Sequence, residues 1–345
     1  MRRRFRARSL LPLVALLLVA RAPGRAAPPR GSAARSGPVR LKVLSLRFLS
    51  FAPFAIARDE GYFRAQGLDV ELIPLVSSAD ATPSLIRGDL DVVAGVLKIA
   101  DFNAIARGAT LRFVADKDHF EPGGCIGSAF VARPGFFDGK DADDPARLRG
   151  ARIATTPLHF MEYALETLLG RKGLTLDDLR LARLPGNMVA EAFGAGSLDL
   201  GQLSEPDLSR VLRSGGAVLW KGVREVLPGA QHAVVTFGPR LLGKDRDVGR
   251  RFLVAYLQGV RQYNRGKTAR NLDLLAAETG VDRELLRAAC WPSIRGDGKV
   301  DVASIVELQK WAVRRKALDE VVPPERFWDP SFAEEANRFL GPPAP

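Results

Sequence analysis

Five short runs carry residue types that hold small polar molecules. Thr155-Thr156 and His159-Phe160 stand where an apolar strand, Ala151 to Ala154, gives way to a helix over about Leu158 to Leu169. Hydroxyls at such a junction cap the helix or bind ligand oxygens, and the free backbone N–H groups there favour anions. Phe48, Leu49, Ser50 and Phe51, with Phe54 behind them, follow the first strand. Their rings would meet an apolar or aromatic ligand body, and Ser50 is expected to cap a helix over Phe51 to Glu60. Gly95, Val96 and Leu97 open a loop after a short central strand. Lys98 beside them, and Arg47, would offer positive charge to a carboxylate or sulfonate, or remain solvated. Asn187 and Met188 follow a Pro185-Gly186 turn, and Glu205 sits in Ser204-Glu205-Pro206, where it would accept from a ligand N–H or serve its own helix start.

None of these runs has a catalytic pattern. The chain has no Gly-x-Ser-x-Gly, phosphate loop or dinucleotide fingerprint, and no catalytic residue is assigned. His119, His159 and His232 are the three histidines, and their spacing is not that of a metal site. No metal and no cofactor is expected.

The positioning elements follow from periodicity. Val39 to Leu46, Leu68 to Leu75, Asp91 to Ala94 and Leu111 to Ala115 read as strands. Helices over Phe51 to Glu60 and Ser77 to Arg87, and a third ending near Arg107, alternate with them, which implies parallel βαβ units. The stretch from Gly67 to Asp91 then recurs as Gly173 to Asp199. Each copy has a Gly-Leu turn, an extended apolar stretch, a helix ending in Gly, and x-Leu-Asp before a buried strand. Two such copies predict two similar α/β lobes with mainly parallel sheets and a ligand cleft between them. Ligands on such sheets sit at the carboxyl ends of strands, where the runs above fall. The aspartates of each copy, at strand starts, face away and read as scaffold. Ala233 to Phe237 is taken as the return to the first lobe. Asp301 is expected to cap a late helix through Trp311.

A net charge of +12 over 345 residues resembles a nucleic-acid signal until it is located. Seven of the 51 basic residues precede residue 27, and without them 44 face 39 acidic ones. No nucleic-acid partner is expected. The basic start, the apolar run Leu10 to Ala20 and Gly24-Arg25-Ala26-Ala27 have the layout of a signal peptide over residues 1–26, with a flexible leader over 27–38. Arg2-Arg3-Arg4-Phe5 also resembles a twin-arginine core, so the route is Sec or twin-arginine. The expected location is periplasmic or otherwise extracytoplasmic. Such a compartment permits a bridge between the only two cysteines, Cys125 and Cys290, although two buried thiols are the expectation.

Ala57-Arg58-Asp59-Glu60-Gly61-Tyr62-Phe63 followed by Gly67-Leu68-Asp69-Val70 resembles the opening of sulfonate-, nitrate- and taurine-type substrate-binding proteins of ABC importers. Leu148 to Ala154, Ser204-Glu205-Pro206 and Asp297 to Asp301 match in order and spacing, over about residues 40 to 341. The resemblance implies a type II periplasmic-binding-protein fold whose lobes are joined by two crossover segments, near 125 to 128 and 231 to 234. Lobe I would then comprise 39–126 and 234–345, and lobe II 127–233. It implies capture of a small organic molecule, such as a sulfonate or carboxylate, and delivery to a membrane ABC permease by a monomer that is not an enzyme. Relatives bind pyrimidine precursors of thiamine. The alternatives are an enzyme on the same fold acting on a pyrimidine-like substrate, or a ligand-sensing receptor subunit. The cysteine-rich run of thiamine-pyrimidine synthases has no counterpart here.

Overall fold

The structure, a computed structural model, describes residues 37–74, 81–139, 141–142, 144–184 and 188–343. The expected signal peptide and nearly all of the leader lie outside the described residues. So do Asn187 and the start of the helix expected from Ser77.

The strands form two five-stranded sheets. The first, in the order β2-β1-β3-β10-β4, contains β1 (Val39–Ser45), β2 (Leu68–Pro74), β3 (Val92–Val96), β4 (Arg112–His119) and β10 (Gln231–Phe237). The second, in the order β7-β6-β8-β5-β9, contains β5 (Ser128–Ala132), β6 (Arg152–Ala154), β7 (Arg180–Ala182), β8 (Leu200–Ser204) and β9 (Val218–Gly222). In each sheet one strand, β10 or β5, runs antiparallel to both its neighbours, so the other four are mutually parallel. The two orders correspond strand for strand. The chain leaves the first sheet after His119, enters the second at Ser128, and returns between Gly222 and Gln231.

The repeated x-Leu-Asp segments do the same work in both sheets. Asp91 accepts from the Lys42 N–H at 2.8 Å while its own N–H reaches the Lys42 carbonyl at 2.9 Å. Asp199 accepts from the Arg152 N–H at 3.0 Å and returns 2.9 Å to the Arg152 carbonyl. Each aspartate therefore clamps the start of one central strand to the next, and each meets an arginine: Arg240 for Asp91, Arg133 and Arg152 for Asp199. The copies differ at their extended stretches. Leu68 begins a full strand, whereas Leu176–Asp178 is a 3₁₀ turn before the short β7. Asp178 accepts from the Thr175 N–H at 2.8 Å, and this capping box turns the chain where an extended stretch is expected.

Both faces of the first sheet are covered. Leu41 and Val43 pack in one core cluster and Leu44 in another, all fully buried. The helix Arg246–Tyr263 packs on the helix Ala52–Asp59, with Phe54 stacked on Tyr256 at 4.6 Å between ring centres. Gly259 permits that approach, because a Cβ there would collide with the Pro53 carbonyl oxygen. The late helix, Val302–Arg314, is capped by Asp301 as its sequence predicts.

Three expectations need correction. Ser50 does not cap: a 3₁₀ turn, Leu49–Phe51, leads into the helix Ala52–Asp59, and Pro53 in its first turn removes one of the donors a cap would serve. Gly95 belongs to β3, held there by pairing with Val234 of the antiparallel β10. The cysteines are joined rather than free, with Cα atoms 5.6 Å apart across a sequence separation of 165, and Cys125 is exposed. The crossover carrying Cys125 lies against the segment after Cys290, with the His119 N–H bonded to the Ser293 carbonyl at 3.1 Å, so folding brings the thiols together.

Candidate functional site

A cleft of about 1300 Å³ lies between the two sheets, at the carboxyl ends of their parallel strands. The first sheet supplies the segment after β1 (Ser45 to Phe48, Ser50, Phe51), the end of β3 (Gly95, Val96), and Lys98. Lys117 and Asp118 come from the end of β4, and His232 from the start of β10. The second sheet supplies Ser128, the run Thr155 to His159 after β6, and Gln202, Ser204 and Glu205 at the end of β8. Most of the wall is apolar, with Leu46, Leu72, Met161 and Leu184 among the lining side chains.

Nine of the expected contacts line this cleft: Phe48, Ser50, Phe51, Gly95, Val96, Thr155, Thr156, His159 and Glu205. Four others sit elsewhere. Leu49, Leu97 and Phe160 are fully buried behind the wall, because each alternates with a neighbour that faces inward. Met188 is 43% exposed, just ahead of the helix Val189–Gly194, and is not among the lining side chains. Lys117, Asp118 and His232 are wall residues that the sequence did not single out for the site. The sequence predicts the end of β4 where its charged residues begin, yet the strand continues through Asp116-Lys117-Asp118-His119 with all four buried.

Buried charge dominates the chemistry of the wall. Lys117 is only 2% exposed and, among the described residues, forms no ion pair. Its Nζ donates to Ser50 Oγ at 2.6 Å and lies 3.9 Å above the centre of the Phe51 ring. Burial pushes its ammonium down to about 8, against the pull of Asp118 and Asp116. Lys98, also buried, is neutralised instead: it donates to Asp101 at 3.1 Å, and Asp101 accepts from Thr82 at 2.5 Å. His159 is pushed down to about 3 by burial, with His232 and Lys98 adding repulsion. Its Nδ1 accepts from the Met161 N–H at 3.4 Å, so the neutral ring caps its helix.

Glu205 is held by donors from both lobes. It accepts from the Ser209 hydroxyl at 2.7 Å and N–H at 3.1 Å, and across the cleft from the Cys290 N–H at 3.1 Å. Burial raises its carboxyl, and these bonds oppose the rise. His232 donates through Nδ1 to Asp118 at 3.1 Å, since a carboxylate only accepts. Three buried polar atoms on the wall have no partner: His232 Nε2, Thr155 Oγ1 and Gln202 Oε1. Among the described residues no group of His, Cys, Asp and Glu could hold a metal ion.

The two halves of the wall also meet directly. The Ile99 N–H reaches the Leu158 carbonyl and the Phe160 N–H the Leu97 carbonyl, each at 3.0 Å, as a short antiparallel bridge. Leu158 takes φ +53° in this bridge, a conformation unusual for a residue with a side chain. The Leu49 N–H adds a bond to the Glu205 carbonyl at 3.2 Å.

These features define a two-lobed α/β protein with a ligand-sized cleft between the lobes. Over residues 49–263 the sequence matches the model of a family described as NMT1/THI5 like, and the chain belongs to that family. No curated protein gives a sequence match. Among solved structures, the ligand-binding component of an ABC-type import system from Staphylococcus aureus, with zinc bound, superimposes with a TM-score of 0.73 at 16% identity, covering 87% of this chain and 99% of its own. The alkanesulfonate-binding protein SsuA from Xanthomonas axonopodis pv. citri, bound to MOPS, gives 0.68 at 18% identity, covering 85% and 99%. The desulfurization enzyme DSZB gives 0.59 at 14% identity, covering 88% and 99%.

Proposed function

We propose that the chain is an extracytoplasmic solute-binding protein that closes two lobes on a small organic anion and delivers it to an ABC-type permease. Lys117 carries this reading. A buried ammonium held by a serine hydroxyl and by no carboxylate costs several kcal/mol until an anion meets it. It lies in a mostly apolar cleft walled from both sides, so an organic anion with an apolar body fits better than a small inorganic one. The solved import components of the same fold support the transport role, and the charged, small-residue N-terminus supports export. We assign lobe I to 39–126 and 234–345 and lobe II to 127–233, acting as a monomer. The direct bonds between the walls are the contacts that closure would make.

We read the chain as a binder rather than an enzyme. The Asp118–His232 pair and the match to a desulfurization enzyme favour the second reading, catalysis on the same fold. The test is a thermal-shift panel of carboxylates, sulfonates, nitrate and pyrimidines, with native mass spectrometry of the protein from its own compartment. Saturable shifts by organic anions support the proposal, and conversion of a bound compound on prolonged incubation supports catalysis. A panel without any shift removes the binding role.

A further inference from the structure

The unpartnered atoms of the wall say more about the solute than its charge. His232 and Thr155 are each 4% exposed, and they face the cleft from opposite sheets. The His232 ring lies against Phe120 and Phe160, with centres 4.8 Å and 5.3 Å away, which fixes its direction. His232 Nε2 is buried without a partner, and in the tautomer whose Nδ1–H goes to Asp118 it is an acceptor. Gln202 Oε1 is a second acceptor without a donor, and the Thr155 hydroxyl is free to give or accept. A purely anionic head would satisfy Lys117 and leave both acceptors orphaned out of water, which is costly.

Resting on the solute-binding reading above, we infer that the solute is an organic acid bearing an O–H or N–H donor beside its anionic group. Lys117 takes the anion, and His232 Nε2, supported by Gln202 Oε1, takes the donor. A site built to accept a hydrogen bond rejects analogues that lack the donor far more strongly than an apolar pocket rejects a missing methylene. The cleft therefore discriminates against plain carboxylates and sulfonates.

The experiment is calorimetric titration with matched pairs: mandelate against phenylacetate, 3-phenyllactate against 3-phenylpropionate, and isethionate against ethanesulfonate. The hydroxy acid of at least one pair binds the wild-type protein about tenfold or more tighter than its partner. His232→Phe brings the two within about twofold of each other, chiefly by weakening the hydroxy acid, and Gln202→Leu, at a less buried position, narrows the gap in the same direction. Equal binding of both members of every pair overturns the inference and leaves the solute-binding role standing. So does proton uptake on binding of a plain acid, read from titrations in two buffers of different ionisation enthalpy, because Nε2 then supplies its own proton. If no acid of any pair binds, the inference falls, and the solute-binding role falls with it only if the whole thermal-shift panel also gives no shift.

Discussion

Replacing Lys117 with Met should make the empty protein more stable at neutral pH and reverse that advantage in alkali. The lysine is buried and pushed from 10.5 to about 8, so carrying its charge in the folded state at pH 7 costs about 3 kcal/mol. Methionine removes that cost but also the bond to Ser50 and the contact with the Phe51 ring, together about 1–2 kcal/mol. Lys117→Met should therefore gain about 1–2 kcal/mol at pH 7. The unfolded lysine keeps its proton until about pH 10.5 and the folded one loses it near 8. Between those values the unfolded state binds more protons, so wild-type stability rises with pH while the variant shows no such rise from this site. The stability difference should shrink above pH 8 and change sign before about pH 10.5. Urea midpoints of both proteins at each pH read it, and taking the difference cancels the buried tyrosines. A flat difference curve would refute the reasoning, since Lys117 would then carry no burial cost for a ligand to relieve.

Other outcomes follow from the same geometry. Cys125→Ser with Cys290→Ser should lower stability by about 2–4 kcal/mol in denaturant, and reductant should reproduce the loss in the wild type alone. Gly259→Ala should cost about 1–3 kcal/mol despite alanine's higher helix propensity, because the new methyl strikes the Pro53 carbonyl; an unchanged melting curve would contradict that packing. His119 is raised overall: burial opposes its charge, and the hydrogen bond and charge of Asp116, helped by Glu121, overcome it. Its contribution to stability should be complete below about pH 6.5 and fade as pH rises through the raised value, a slope that His119→Gln should abolish in pH-dependent melts. Glu205→Ala should loosen the junction with Cys290 and Ser209 and weaken binding of any solute, detected as a lower melting midpoint and faster dissociation.

The internal repeat announced two similar lobes, and the Asp91 and Asp199 clamps show why such a signal is readable. Strand starts are tied by local, recurring chemistry that leaves the same residues at the same spacing in each copy. The segments after β1, β3, β6 and β8 were readable for a related reason: strand direction alone places their ends at one rim. Within those segments the inward side was not readable. Leu49, Leu97 and Phe160 match their neighbours in type, and only packing turned them away from the cleft. Lys117, Asp118 and His232 escaped for the opposite reason. They lie on strands where charge argues against burial, and it is the partnership of β4 with the returning β10, more than a hundred residues away, that buries them together. The sequence by itself determined the two-lobed plan and the rim at which a solute would sit, because periodicity and turn chemistry act over a few residues. Only the tertiary structure decided the disulfide, the bridge between the lobes, and the buried cation and orphaned acceptors that face the solute, because each is made by residues that nothing but the fold brings together.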